Sequence, residues 1–150
     1  MIALIQRVSR AEVCIAGERV AQIGRGVLAL IGVRRADTEA AAERLAERLL
    51  GYRVFADEAG RMNLSVRDLG AAVLVVPQFT LAADTRKGTR AGFSTAAEPH
   101  EAERLYGHFL STLRLAYAPV SAGVFGADMQ VGLVNDGPVT FWLETPAAEA

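Results

Sequence analysis

Three polar stretches hold the groups that could do chemistry: Pro77-Gln78-Phe79-Thr80-Leu81, the loop Asp84 to Ser94 (DTRKGTRAGFS), and Val134 to Thr140 (VNDGPVT). In the first, Thr80 offers a hydroxyl and Gln78 an amide at the end of an apolar run. A nucleophilic threonine needs a base within hydrogen-bond reach. The only histidines, His100 and His108, are distant in sequence and fall off the apolar stripe of a later helix. They read as solvated surface, so Thr80 is expected to position a group rather than attack one. Read for structure alone, PQFTL is simply the end of a core strand. The second stretch sets Arg86, Lys87 and Arg90 beside Phe93. Cations next to an aromatic could hold a phosphate and stack a base, although a charged loop containing glycine is commonly just a solvated turn. In the third, Asn135-Asp136-Gly137 has the signature of a hairpin turn. Pro138 then stands where the next strand should start, and proline cannot donate a ladder hydrogen bond. A trans Gly-Pro bond would merely end the turn. A cis bond, which X-Pro sequences permit, would aim two carbonyls to one side of a rigid tip and suit a site that rejects a ligand by shape. Both isomers are open from the residues alone.

The scaffold that must position these stretches reads as follows. Met1 to Val8 is a buried strand, Ala11 to Val20 a hairpin turning at Ala16-Gly17-Glu18, and Val27 to Val33 a strand bounded by Gly24 and Gly26. From Asp37 the period changes. Ala41, Ala42, Leu45, Leu49 and Tyr52 recur at helical spacing, with Asp37 or Thr38 as cap and Gly51 as stop. A short strand at Arg53 to Asp57, a turn to Gly60 and a continuous apolar strand through Ala71 to Ala82 follow. Pro99 opens a second helix with Ala102, Leu105, Tyr106, Phe109 and Leu113 inward. Strands are expected at 120–125, 129–134 and 139–143, and the tail from about residue 145 is expected to be loose. Many strands with two main helices make an α/β protein, and the hairpins argue against a purely parallel sheet.

The 150 residues favour one domain, 1–150. A formal net charge of −1 supplies no general field for a polyanion, so any nucleic-acid contact must be a local patch. One cysteine, Cys14, excludes an intrachain disulfide, and with two histidines it argues against a structural metal site. The apolar run in MIALIQRVSR is too short for a signal peptide or a membrane span, so a cytoplasmic location is expected. There is no GxGxxG and no phosphate-loop motif. The slightly positive mean hydropathy, +0.22, hints at a homo-oligomer interface.

Taken together and in order, MIALIQRVSRAEV, GYRVFADEAGRMNLS, QFTLAADTRKGTR and FGADMQVGLVNDGPVTFWLE resemble the D-aminoacyl-tRNA deacylase family, the D-Tyr-tRNA(Tyr) deacylases, from residue 1 to about 144. The resemblance implies a cytoplasmic homodimer with a three-layer α/β/β fold, mixed and largely antiparallel strands, and no metal or cofactor. It implies hydrolysis of the ester joining a D-amino acid, or glycine, to the 3′ end of tRNA. It places Gln78, Phe79 and Thr80 in the catalytic segment and makes Gly137-Pro138 a cis pair inserted into the partner's site, where its carbonyls leave no space for an L side chain. Phe125 and Met129 resemble the adenine-pocket residues, though core packing explains them nearly as well. Backbone N–H groups near Phe79 and Thr80, helped by the 2′-hydroxyl of the terminal adenosine, would do most of the catalysis. Two departures stand out. Pro77 replaces the family's usual Ser, as in a related group of looser chirality, yet Phe79 is the residue that group lacks, so strict behaviour is expected. Arg90-Ala91-Gly92-Phe93 replaces RPSF and is expected to loosen the loop. The rivals are a non-catalytic dimeric module that binds the tRNA CCA end or a small nucleotide, and another ester or amide hydrolase on the same scaffold.

Overall fold

The computed structural model describes residues 1–146. A 14-residue strand, β1 (Ile2–Ile15), turns at Ala16-Gly17 into β2 (Glu18–Ile23). Both turn residues have positive φ, 51° and 81°, the backbone hand that suits the twist of paired strands. β3 (Gly26–Gly32) continues along the same edge of β1. Ile15 to Ala11 face β2, and Val8 to Ile2 face β3. After α1 (Glu39–Gly51) come a small hairpin, β4 (Phe55–Ala56) and β5 (Met62–Leu64), and a short helix, α2 (Val66–Leu69). β6 (Ala72–Pro77) then pairs in parallel with β3. A single 3-10 turn, Phe79–Ala82, leaves β6, and α3 (Pro99–Ala116) leads to β7 (Val120–Ala122), parallel to β6. The long strand β8 (Gln130–Glu144) runs antiparallel along the other edge of β1.

The central strands sort their side chains with period two. From β3 and β6, Val27, Ala29, Ile31, Val73 and Val75 pack with Leu45 and Leu49 of α1 and Leu105, Phe109 and Leu113 of α3. The alternate residues, Leu28, Leu74 and Val76, join Val8, Ala11, Val13 and Ile23 in a second core that contains no helical residue. The order is therefore helices, sheet, and a second β layer, the α/β/β arrangement that the resemblance implied. β1 belongs to both β layers.

Most of the helical reading holds, with local corrections. Thr38 is the cap of α1, its hydroxyl accepting the Ala41 N–H at 3.1 Å. Asp37 is instead buried against the Met1 ammonium at 2.7 Å. Gly51 is the last helical residue, and the cap position falls to Tyr52 in an extended conformation. The Ser65/Asp68 capping box that starts α2 was not read from the sequence. β7 stops at Ala122, leaving Phe125 in the following loop. Thr145, placed at the head of a loose tail, is only 1% exposed, and its N–H donates to the Met1 carbonyl at 2.9 Å. Residues 147–150 of that tail lie outside the described residues.

The largest correction concerns the C-terminal stretch. VNDGPVT does not reverse the chain, because residues on both sides of it pair with β1 in one direction: Asn135 faces Val8 and Thr140 faces Gln6. Five steps along β8 match two along β1, so 136–139 swell out of the ladder as a wide bulge. The turn signal was real, but side chains bridge the gap. Asn135 accepts the Val139 N–H at 3.0 Å and donates to the Thr140 hydroxyl at 2.9 Å. Pro138, which has no N–H, sits where no ladder bond is asked of it.

Candidate active site at the end of β6

Strand β6 carries Gln78 to the edge of the central sheet, where its N–H donates to the Ile31 carbonyl at 2.7 Å. The chain then tightens at once: Leu81 N–H reaches Gln78 O at 3.3 Å and Ala83 N–H reaches Thr80 O at 3.2 Å. Gly32 makes the tight turn possible, since a Cβ there would stand 2.9 Å from Leu81 Cβ and 3.3 Å from the Gln78 carbonyl. The first N–H groups of a helical turn have no partner within it. Here the Phe79 and Thr80 N–H groups find no acceptor among the described residues. Two orphan donors side by side on an exposed turn are a natural oxyanion-binding pair. The Gln78 side-chain amide donates to the Thr80 hydroxyl, which holds both over the turn. No histidine or carboxylate hydrogen-bonds Thr80 among the described residues. His108 is occupied elsewhere, 2.9 Å from Glu43 across α1 and α3.

Beside this turn lies a largely apolar cleft of about 460 Å³, lined by Val76, Pro77, Gln78, Phe79, Phe125 and Met129 among others. Gly123 leaves room for Met129, whose sulfur lies 2.8 Å from where a Cβ would be. Phe125 packs against Tyr106 at 6.0 Å between ring centroids. Burial pushes the Tyr106 phenol up to about 12, so it stays protonated at neutral pH and is no base. Thus Gln78, Phe79, Phe125 and Met129 come together. Thr80 faces an adjoining hollow with Arg86 and Trp142.

The cationic loop is only partly free. Arg86 grips Asp84 through two contacts of 2.9 Å, and its guanidinium holds the Asp84 carboxyl down to about 2. Lys87 and Arg90 border a shallow hollow with the paired Asp84 and Arg86 and with Gly92 and Ser94, and form no ion pair among the described residues. Across the Ala91-Gly92 departure, Asp84 and Gly92 exchange backbone hydrogen bonds of 2.7 and 2.9 Å.

Gly137 and Pro138 are not part of this cleft. Their peptide is cis and both residues are exposed. The bulge is opposite Arg7, which pairs with Val27 of β3, whereas Gln78 leaves the sheet at Ile31. That is about 13 Å along the strands and about 14 Å across three strand spacings, roughly 20 Å in all. Sequence reasoning missed the residue that anchors the tip. Arg7 Nε donates to the Asp136 carbonyl at 3.0 Å, and Nη1 donates to the Val54 carbonyl at 2.8 Å. Arg7 stands beside Gln6 in IALIQRV, and nothing in that residue pattern names its main-chain acceptors.

Fold and cleft define a small α/β/β protein whose candidate catalytic groups are mainly main-chain donors at a strand end. Among the described residues no cluster of three His, Cys, Asp or Glu could hold a metal ion, and no helix is long and apolar enough to cross a membrane. The family model for D-Tyr-tRNA(Tyr) deacylase matches residues 4–144. A D-aminoacyl-tRNA deacylase from Thioalkalivibrio sulfidiphilus is 64% identical over 97% of this chain and 98% of its own. One from Alkalilimnicola ehrlichii is 61% identical over the whole of both. The chain belongs to the D-Tyr-tRNA(Tyr) deacylase family. Among solved structures, the c-Myc DNA Unwinding Element Binding Protein superposes with a TM-score of 0.93 at 43% identity, covering 98% of this chain and 100% of that one. A probable eukaryotic D-amino acid tRNA deacylase shares the fold at 18% identity, with a TM-score of 0.84 and coverage of 96% and 98%.

Proposed function

We propose that the protein hydrolyses the ester between a D-amino acid, or glycine, and the 3′ end of tRNA. The observation that carries this is the pair of unpartnered N–H groups on Phe79 and Thr80 at the rim of an apolar cleft. Aminoacyl esters are activated already, so an enzyme that positions water and stabilises charge suffices. The terminal adenine enters the cleft against Phe125 and Met129, and Gln78 orients the ribose. Water, activated with help from the adenosine 2′-hydroxyl, adds to the acyl carbon. The carbonyl oxygen becomes an oxyanion held by the two N–H groups, a contribution of about 2.7–4 kcal/mol per donor. The acyl C–O bond then breaks, the 3′-oxygen takes up a proton, and free D-amino acid leaves. A tRNA substrate supports a cytoplasmic location.

Chirality is assigned to Gly137 and Pro138 acting in a homodimer. Each tip lies roughly 20 Å from its own cleft by strand geometry, so it serves the cleft of a second copy. There its carbonyls face the substrate's amino group and Cα and fill the space an L side chain would need. Tethering by Arg7 and Asn135 supports a fixed wall. A module that binds the CCA end or a nucleotide without hydrolysis is the second reading, favoured by the likeness to a protein named for DNA binding. One assay separates them. Purified protein is mixed with D-Tyr-tRNA and L-Tyr-tRNA, and released amino acid is followed. Release from the D form alone is expected; binding of D-Tyr-tRNA without release of its amino acid overturns the enzymatic reading.

A further inference from the structure

Phe79 and Phe93 are exposed large aromatics, 59% and 47% accessible, and they lie against each other with centroids 5.4 Å apart at 42°. Exposed aromatic pairs on a soluble protein call for an explanation, and loose packing is not one here. Phe93 sits in a tied frame. Gly92 before it is paired with Asp84, its own carbonyl accepts the Ala96 N–H at 3.1 Å, and the Thr95 hydroxyl donates to the Ala82 carbonyl at 2.6 Å. Phe79 is fixed at the head of the 3-10 turn. The pair also stands at a junction. Phe79 lines the apolar cleft, and Gly92 and Ser94 on either side of Phe93 line the hollow that holds Lys87 and Arg90. Moving outward, the surface offers an apolar pocket, then two aromatic faces, then two cations without carboxylate partners among the described residues. That sequence of chemistries matches a single-stranded nucleic acid end, with a base in a pocket, a base on a ring, and phosphates beyond.

We infer that the Phe79–Phe93 pair is a stacking subsite for the penultimate nucleobase of the tRNA 3′ end, and that Lys87 and Arg90 receive the phosphates that follow it. The inference rests on the deacylase reading and deepens it, since it names a contact with the polynucleotide beyond the terminal nucleoside. It assigns Phe93 a role in seating tRNA that the reacting ester does not require. Stacking is indifferent to base identity, so this subsite contributes affinity without selecting among tRNAs, all of which end in the same nucleotides.

The test compares two substrates, D-tyrosyl-tRNA and 3′-O-D-tyrosyl-adenosine, which carries the same ester on the terminal nucleoside alone. The readout is the ratio of their kcat/KM values, which is independent of how much of a variant is folded. Phe93→Ala is expected to lower the ratio roughly 5- to 150-fold, the range typical of losing one base–aromatic stack. Phe93→Trp should keep the ratio, while Phe93→Leu, apolar but without a ring face, should behave as Ala. Lys87→Ala combined with Arg90→Ala should flatten the salt dependence of KM for the tRNA by about 0.7 in log–log slope per contact. An unchanged ratio in Phe93→Ala, or a Leu variant equal to wild type, overturns the stacking subsite. Wild-type protein that cleaves neither substrate overturns the deacylase reading itself, and this inference with it.

Discussion

Replacing Gly137 with alanine is the most direct probe of the tip. Its φ is 133°, a region L side chains rarely adopt. Space is short as well: an added Cβ would stand 2.8 Å from Val139 Cγ2, 3.0 Å from Arg7 Nη2 and 3.1 Å from the Val139 backbone nitrogen. The Val139 side chain can rotate, but its backbone nitrogen is held by Asn135 at 3.0 Å and Arg7 is engaged with two carbonyls. Holding alanine in this conformation costs about 1–3 kcal/mol. The tip is exposed, so the variant relieves that strain by moving the tip rather than by unfolding the domain. If the native tip is needed to seat the substrate, the cost appears in kcat/KM as a loss of roughly 5- to 150-fold, since about 1.4 kcal/mol is a factor of ten. Deacylation of D-Tyr-tRNA and L-Tyr-tRNA by Gly137→Ala should therefore show a marked fall for the D ester and a narrower D-to-L ratio. Circular dichroism should show a transition temperature close to the parent's. A variant with parental D activity and an unchanged D-to-L ratio refutes the assignment of chirality to this tip.

Three further outcomes are expected. Thr80→Ala should keep D-Tyr-tRNA hydrolysis within about tenfold, because the N–H donors remain and catalysis by a positioned side chain is worth more than that; near-complete loss of turnover with tRNA binding intact would make Thr80 a nucleophile. Arg7→Ala leaves the Asp136 and Val54 carbonyls without their charged donor, at about 1.5–3 kcal/mol per contact, and should widen acceptance of L-Tyr-tRNA more than Arg7→Lys, as read by release of L-tyrosine. The Asp84 carboxyl is held down to about 2 by the Arg86 guanidinium. Its folded value lies below its unfolded one, so the contact's contribution is complete above pH 4 and is lost as pH falls towards 2; carboxyl NMR should show a midpoint near 2, and a midpoint near the ordinary aspartate value would show that the Arg86 contact does not persist in solution.

Periodicity carried most of the scaffold. Both long helices announced their inner stripes, whereas VLALIGV and AVLVV read only as continuous apolar strands, and the division of their side chains between two cores emerges from the fold. Three things were hidden, each for a physical reason. The bulge in β8 was hidden because NDG encodes a turn locally, while the direction of the chain beyond it is decided by pairing with β1 far away in sequence. The burial of Thr145 was hidden because its partner is Met1, at the far end of the chain. The role of Arg7 was hidden because a lone arginine in an apolar strand shows no periodic signal, and its acceptors are main-chain carbonyls that no residue type advertises. Within the candidate site, the grouping of Gln78 and Phe79 with Phe125 and Met129 came from the family resemblance, since the stretches lie some 50 residues apart.

The remoteness of the Gly137-Pro138 tip from its own cleft has a genetic consequence. In the proposed homodimer each polypeptide would own two unlike half-sites and never a whole one. Damage to the tip and damage to the cleft then fall in separate complementation groups: two subunits, each inactive with its own kind, can restore one working centre when paired. Under that proposal, selection would act on the couple before it acts on the chain.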